Sequence, residues 1–157
     1  MAYADPMDAG AAGAAALMAV LNDAVRDFRA YGYEQYLAHR DFVRPRFEGL
    51  IPAATSPTVA VGVAYELRYD PPGVQPREAE MYLTLRLCDD AFVVAGDASF
   101  DDPQPDDFAG VTQRYLLELP EVRMTDLGEC VAMIRRYTAR MCAYTSFLDD
   151  VGVPRAS

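Results

Sequence analysis

The sequence feature that most constrains the fold is the stretch from Ala79 to Asp101. It contains two runs of residues typical of strands, and the pair Asp89-Asp90 separates them. Asp favours tight turns, and a two-residue turn here places residues whose numbers sum to 179 opposite each other. One face of the resulting hairpin is apolar, with the opposed pairs Leu87/Phe92, Leu85/Val94, Met81/Ala98 and Ala79/Phe100.

The same register gives the hairpin a second face of mixed character. Its opposed pairs are Cys88/Ala91, Arg86/Val93, Thr84/Ala95, Tyr82/Asp97 and Glu80/Ser99. A single register sorts both strands into an apolar and a mixed face, so we expect an antiparallel hairpin with one buried side.

Further strands are predicted on both sides of this hairpin. Residues 58–70 alternate cleanly between apolar and small or polar side chains, which is typical of a half-buried strand. The proline-rich stretch 44–57 is interpreted as a loop. Residues 108–119 fit either helical or strand spacing; we favour a fourth strand and expect Pro120 to end either element.

Helices are predicted at both ends of the chain. The first is capped by Asp8 and stops at Gly32, with a shorter helix at 33–43 after it. The second major helix is capped by Thr125 and runs for about 23 residues, a length of roughly 35 Å. Gly152 marks its end.

These elements predict an α+β fold: a three- or four-stranded antiparallel β-meander covered on one face by N-terminal and C-terminal α-helices. The 157 residues suit a single domain, 1–157, with residues 1–10 and 153–157 expected to be poorly ordered. Homodimerisation through the mixed sheet face or the C-terminal helix is plausible because that sheet face carries several apolar residues.

Charge and cysteine content narrow the functional classes. The net charge of −10 argues against binding to nucleic-acid phosphates. No apolar run is long enough to cross a membrane, and acidic residues near the start argue against a secretory leader. The three cysteines form no CxxC pair, which favours a cytoplasmic protein, and the all-arginine cation content suggests a GC-rich bacterial genome.

The one locally basic stretch carries the only histidine. His39, Arg40, Arg44 and Arg46 lie within eight residues of one another. Forked guanidinium groups bind carboxylates or phosphates, so Arg40, Arg44 and Arg46 are candidate binding residues for a ligand or an acidic partner. The alternative is that these arginines pair with the protein's own surplus carboxylates.

Tyr82 opposite Asp97, with Arg86 nearby, is the constellation closest to a small-molecule site. Tyr82 and Asp97 are candidate binding residues. In an enzyme, Asp97, Tyr82 and Arg86 would be the catalytic group, since a carboxylate beside a phenol inside a cavity can transfer protons if burial raises its pKa. On a solvent-exposed sheet the same residues are only a polar face. The sequence carries no metal-site or cofactor motif, and the acidic stretch 89–107 lacks the ligand spacing of an EF-hand.

By architecture, an acidic α-β-β-β-α domain of this size resembles bacterial secretion-chaperone-like domains, and a helix leading into a curved sheet resembles the NTF2-like fold. The long C-terminal helix fits the first better. The first resemblance implies a protein-binding or adaptor protein, such as a chaperone, immunity or regulatory partner, whose acidic surface selects a basic protein. The second implies a cofactor-independent isomerase, cyclase or lyase with Asp97 and Tyr82 in a pocket.

Overall fold

The computed structural model describes residues 6–52, 57–68, 77–103 and 111–157. Within them the elements are α1 (Pro6–His39), β1 (Val43–Pro52), β2 (Thr58–Leu67), β3 (Arg77–Cys88), β4 (Ala91–Pro103), β5 (Val111–Met124), α2 (Leu127–Cys142) and α3 (Phe147–Val151). The strands form one antiparallel sheet in the order β1-β2-β3-β4-β5. The α+β class is confirmed, but the sheet has five strands instead of three or four.

The β3–β4 hairpin has the predicted register. Ten opposed pairs run from Ala79/Phe100 to Cys88/Ala91, and each pair sums to 179. Asp89 and Asp90 both have positive φ, 48° and 64°, as a type I′ turn requires. Asp tolerates this left-handed backbone, so the turn fixes which face each strand buries.

The core lies between the helices and one face of the sheet. α1 packs on β1 and β2, and α2 packs on β3, β4 and β5. Met81 and Leu83 of β3 are fully buried against this layer, as are Phe28 of α1 and Ile134 of α2. Leu87 belongs to the same face by register but is 49% exposed, so the helices leave the turn end of the hairpin uncovered.

Two predictions based on proline were wrong. Residues 44–52 of the stretch interpreted as a loop belong to β1, in which Pro45 lies at a register shift. β5 continues past Pro120 to Met124. The register of β4 with β5 also shifts at Pro120, between Val94 and Gly96. β1 and β5 are the edge strands, and an edge strand tolerates proline at a bulge because the missing N–H has no partner to lose.

The predicted stop at Gly32 was also wrong, since α1 is one continuous helix. Gly32 is buried inside it, and its carbonyl accepts a hydrogen bond of 2.6 Å from the Tyr65 hydroxyl of β2. Packing on the sheet therefore outweighs the low helix propensity of glycine here.

The C-terminal helix is broken in two instead of continuous, and its cap is Asp126, whose carboxylate accepts the Glu129 N–H at 2.8 Å. α2 ends at Cys142 and α3 begins at Phe147. Side chains of α1 bind carbonyls in the break: Tyr31 Oη donates to Tyr144 O (2.7 Å) and Gln35 Nε2 to Thr145 O (2.8 Å).

The last residues, for which the sequence predicts poor order, contact the end of α1. The Ala156 N–H donates to the Ala38 carbonyl at 2.8 Å, and Val153 is buried. The end of the predicted strand 58–70, with Tyr69 and Asp70, and the acidic residues Asp106 and Asp107 lie outside the described residues.

Candidate functional site

The sheet face opposite the helices is the candidate site, and we call it the open face. Its register places on it alternate residues of the central strands and neighbouring residues of β5, including Glu66, Glu78, Glu80, Tyr82, Thr84, Arg86, Val93, Ala95, Asp97, Ser99, Asp101, Gln113, Tyr115, Glu118 and Arg123. Most of these residues are partly exposed, whereas Val93 and Ser99 are buried between larger neighbours.

Acidic side chains crowd one end of the open face. Glu78 and Glu80 lie on β3, and Asp97 and Asp101 lie on β4 next to them. Burial raises the pKa of Glu80, and the negative charges of Glu78, Asp97 and Asp101 raise it further. Gln113 opposes this effect by donating a hydrogen bond to Glu80 Oε1 at 3.2 Å. This end therefore holds its carboxylates in an unfavourable electrostatic environment.

Asp97 and Tyr82 are directly opposed, as the hairpin register predicted. Burial raises the pKa of Asp97, and Glu118, its partner on β5, adds to the shift. Burial, then Glu80 and Glu78, raise the pKa of Tyr82 to about 12, against a smaller lowering by Arg46. Tyr82 is consequently a neutral hydrogen-bonding phenol at physiological pH.

Arg46 is the cation of this acidic end. Its Nη1 lies 2.6 Å from Glu78 Oε1. Arg46 belongs to β1 and Glu78 to β3, so the side chain crosses β2 above the open face. Arg44 and Arg46 also line a cleft of about 340 Å³ with Pro45 and Glu66.

A single glycine on β2 allows the strands to approach closely beside Tyr82. Gly62 is the cross-strand partner of Tyr82, and a Cβ at Gly62 would overlap the carbonyl oxygen of Met81. Only glycine fits this position without displacing the β3 backbone.

Arg86 lies on the open face but away from Tyr82 and Asp97. It is four residues along β3 from Tyr82, a distance of about 13 Å. Its Nη2 lies 3.3 Å from Glu121 Oε1, so it is paired with a β5 carboxylate. The structure therefore brings Tyr82 and Asp97 together and places Arg86 at the opposite end of the face.

The basic stretch does not form one patch. His39 is 1% exposed, and its Nδ1 lies 2.9 Å from the Pro154 carbonyl oxygen while its Nε2 faces Asp149 Oδ1 at 3.5 Å. Arg40 is exposed in the turn after α1, and only Arg44 and Arg46 reach the open-face side of β1.

Sequence reasoning missed the acidic neighbours that define this end of the face. Glu118, Gln113 and Arg46 come from β5 and β1, whose placement was open or mistaken. The numbers of Asp101 and Glu78 sum to 179, so the hairpin register places them opposite each other. This pair could therefore have been predicted from the sequence.

The described residues contain no group of three or more His, Cys, Asp or Glu arranged to hold a metal ion. None of the helices described is long and apolar enough to span a membrane. Comparisons with protein-family models, curated proteins and solved structures give no match.

Proposed function

We propose that this protein is a small bacterial cytoplasmic binding or adaptor protein, a chaperone, immunity or regulatory partner, that recognises a basic segment of another protein through the open face. One observation carries the proposal. The carboxylates of Glu78, Glu80, Asp97, Asp101 and Glu118 lie together with Tyr82 on a sheet face that the helices leave free, and Arg46 is paired with Glu78 among them.

Electrostatics favour a cationic ligand at this place. The raised pKa values of Glu80 and Asp97 mean that their charged forms are destabilised by burial and by neighbouring carboxylates. A Lys or Arg side chain placed between them relieves that repulsion. Tyr82 adds a half-buried ring, the type of side chain that is enriched in protein interfaces and stacks on guanidinium groups.

The proposed compartment rests on the cysteines. Cys88, Cys130 and Cys142 are all free thiols. Burial raises the pKa of Cys130 to about 11. Burial and the charge of Asp27 raise the pKa of Cys142 to about 12. These two thiols are therefore poor nucleophiles. Unpaired, protonated thiols suit a reducing compartment.

The second candidate is a cofactor-independent isomerase, cyclase or lyase with an NTF2-like pocket. The observation in its favour is a carboxyl with a raised pKa, Asp97, opposed to the phenol of Tyr82. Such an enzyme also needs walls that exclude water from Asp97. Retention of partner binding in an Asp97→Asn variant, with loss of a measured turnover, would favour the enzyme.

The test is affinity capture from the native host with three matched baits. The first is the natural chain, and the second carries Glu80→Gln, Asp97→Asn and Glu118→Gln on the open face. The third makes the same change in charge at exposed positions elsewhere, Glu34→Gln, Asp41→Asn and Asp90→Asn.

We expect mass spectrometry to recover a basic protein with the natural chain and the third bait, and to lose it with the second. Equal recovery with all three baits, or no protein recovered reproducibly, would contradict the proposal.

A further inference from the structure

A second surface, next to the open face, lies between the outer edge of β5 and the side of α2. Here a cleft of about 220 Å³ is lined by Val122 and Met124 of β5 and by Ala132 and Met133 of α2. These four side chains give it an apolar floor, and the charged residues Arg123, Glu129 and Arg136 border it.

The strand that forms one wall of this groove has a free edge. β5 is the last strand of the sheet, and among the described residues it pairs only with β4. On the N-terminal side of Glu121, a hydrogen bond of 2.6 Å from Tyr137 Oη to the Pro120 carbonyl ties β5 to α2. From Glu121 to Met124 the outward N–H and C=O groups are in position to pair with an added strand.

The charge beside the groove is opposite to that of the open face. The groove carries two arginines, Arg123 and Arg136, against the single carboxylate of Glu129, and neither arginine forms an ion pair with a described residue. Arg136 borders the apolar cleft directly, so a carboxylate next to an apolar side chain is the matching ligand.

We propose that this groove binds an extended acidic segment of a partner protein, which adds to β5 as a sixth strand. One of its apolar side chains enters the cleft over Met133, and an Asp or Glu beside it pairs with Arg136. Main-chain hydrogen bonds to residues 121–124 supply affinity, and the cleft with Arg136 supplies specificity. The protein then has two binding surfaces of opposite charge, and this surface shares no residue with the acidic cluster of the open face.

The proposal is tested with a short acetylated peptide of alternating Thr and Val that has one central Leu flanked by Asp, and with the same peptide carrying Asn for Asp. Fluorescence anisotropy gives the affinities, and amide NMR shifts give the location. We compare the natural chain with Arg136→Glu, Arg136→Gln and the control Arg135→Glu, whose residue lies one position away and lines a different cleft, between α1 and α2.

We expect Arg136→Glu to weaken binding by about tenfold, Arg136→Gln by less, and Arg135→Glu by no more than about twofold. The Asn peptide should lose affinity by a similar factor, and the amide shifts should centre on Glu121 to Met124. Four results would overturn the proposal: equal effects of the Arg135 and Arg136 variants, shifts centred on the open face, no saturable binding at millimolar peptide, or a β5-mediated dimer that excludes the peptide.

Discussion

The two faces of the sheet differ in what their side chains contribute to the stability of the fold. On the helix face, Met81 and Leu83 are completely buried among apolar neighbours. On the open face, the same strand carries Glu80 and Tyr82, whose charged forms are both disfavoured in the fold. The helix face therefore provides stability. On the open face, ionisation of Glu80 near neutral pH lowers stability, because its charged form is disfavoured in the fold.

The contrast between the faces is tested most strongly by adjacent residues of β3. Leu83→Ala should lower the free energy of unfolding by about 3 kcal/mol because it leaves a cavity under the helices. Thr84→Ala, on the open face, should change it by less than about 1 kcal/mol. Urea unfolding of the two variants measures both values, and similar losses would show that the open face also belongs to the core.

Gly62 sharpens the contrast because it lies on the open face and yet is predicted to be intolerant of change. Gly62→Ala should cost about 2 kcal/mol or more, since the new Cβ overlaps the Met81 carbonyl. Gly10→Ala is the control: Gly10 is exposed in α1 with no atom within 4 Å of a new Cβ, so stability should stay level or rise slightly. Thermal unfolding of both variants checks this, and a neutral Gly62→Ala would contradict the close approach of β2 and β3.

Much of this organisation was available from the sequence where local patterns determine structure. The Asp89-Asp90 turn fixed the register of β3 with β4 and hence the pairing of Tyr82 with Asp97. The predictions based on proline and glycine failed because tertiary contacts outweighed the local preferences of these residues. Pro45 lies at the bulge of an edge strand, and Gly32 lies within a helix that packs on the sheet.

Only the part of the candidate site that lies on the β3–β4 hairpin was predicted from the sequence. The acidic end also needs Glu118 from β5 and Arg46 from β1. Those contacts join residues distant in sequence, and no local periodicity encodes them.

The pH dependence of stability should show that the charged forms of the open-face carboxylates are disfavoured in the folded state. The pKa values of Glu80 and Asp97 are raised in the folded state, so the folded chain binds protons more readily than the unfolded chain between the ordinary carboxyl pKa, about 4, and the raised values. The contribution of this pair to stability therefore falls as pH rises through that window.

The double variant Glu80→Gln, Asp97→Asn should consequently be more stable than the natural chain at neutral pH, by less than about 1 kcal/mol because both groups are partly exposed. The gain should disappear below about pH 4, where both carboxyls are protonated in either state. Urea unfolding across this range measures it. A variant that is less stable at neutral pH would show that the two carboxylates stabilise the fold.

The smallest effect is expected at the turn that joins the two strands. Asp90→Gly should stabilise the protein by about 0.5 kcal/mol, because glycine adopts the positive φ of 64° without strain. Asp90→Val should destabilise it, since a β-branched residue is strained in this conformation. Thermal unfolding of both variants checks the sign of each effect, and no difference between them would argue against the type I′ turn.

The central claim is that the open face binds cationic protein segments. It is tested most directly by the affinity of a short Lys-rich peptide for three chains: the natural chain, the open-face variant with Glu80→Gln, Asp97→Asn and Glu118→Gln, and the control with Glu34→Gln, Asp41→Asn and Asp90→Asn. We predict that fluorescence anisotropy shows about tenfold weaker binding to the open-face variant and less than about twofold change for the control. Equal weakening of both variants would mean that only net charge matters and would contradict the account.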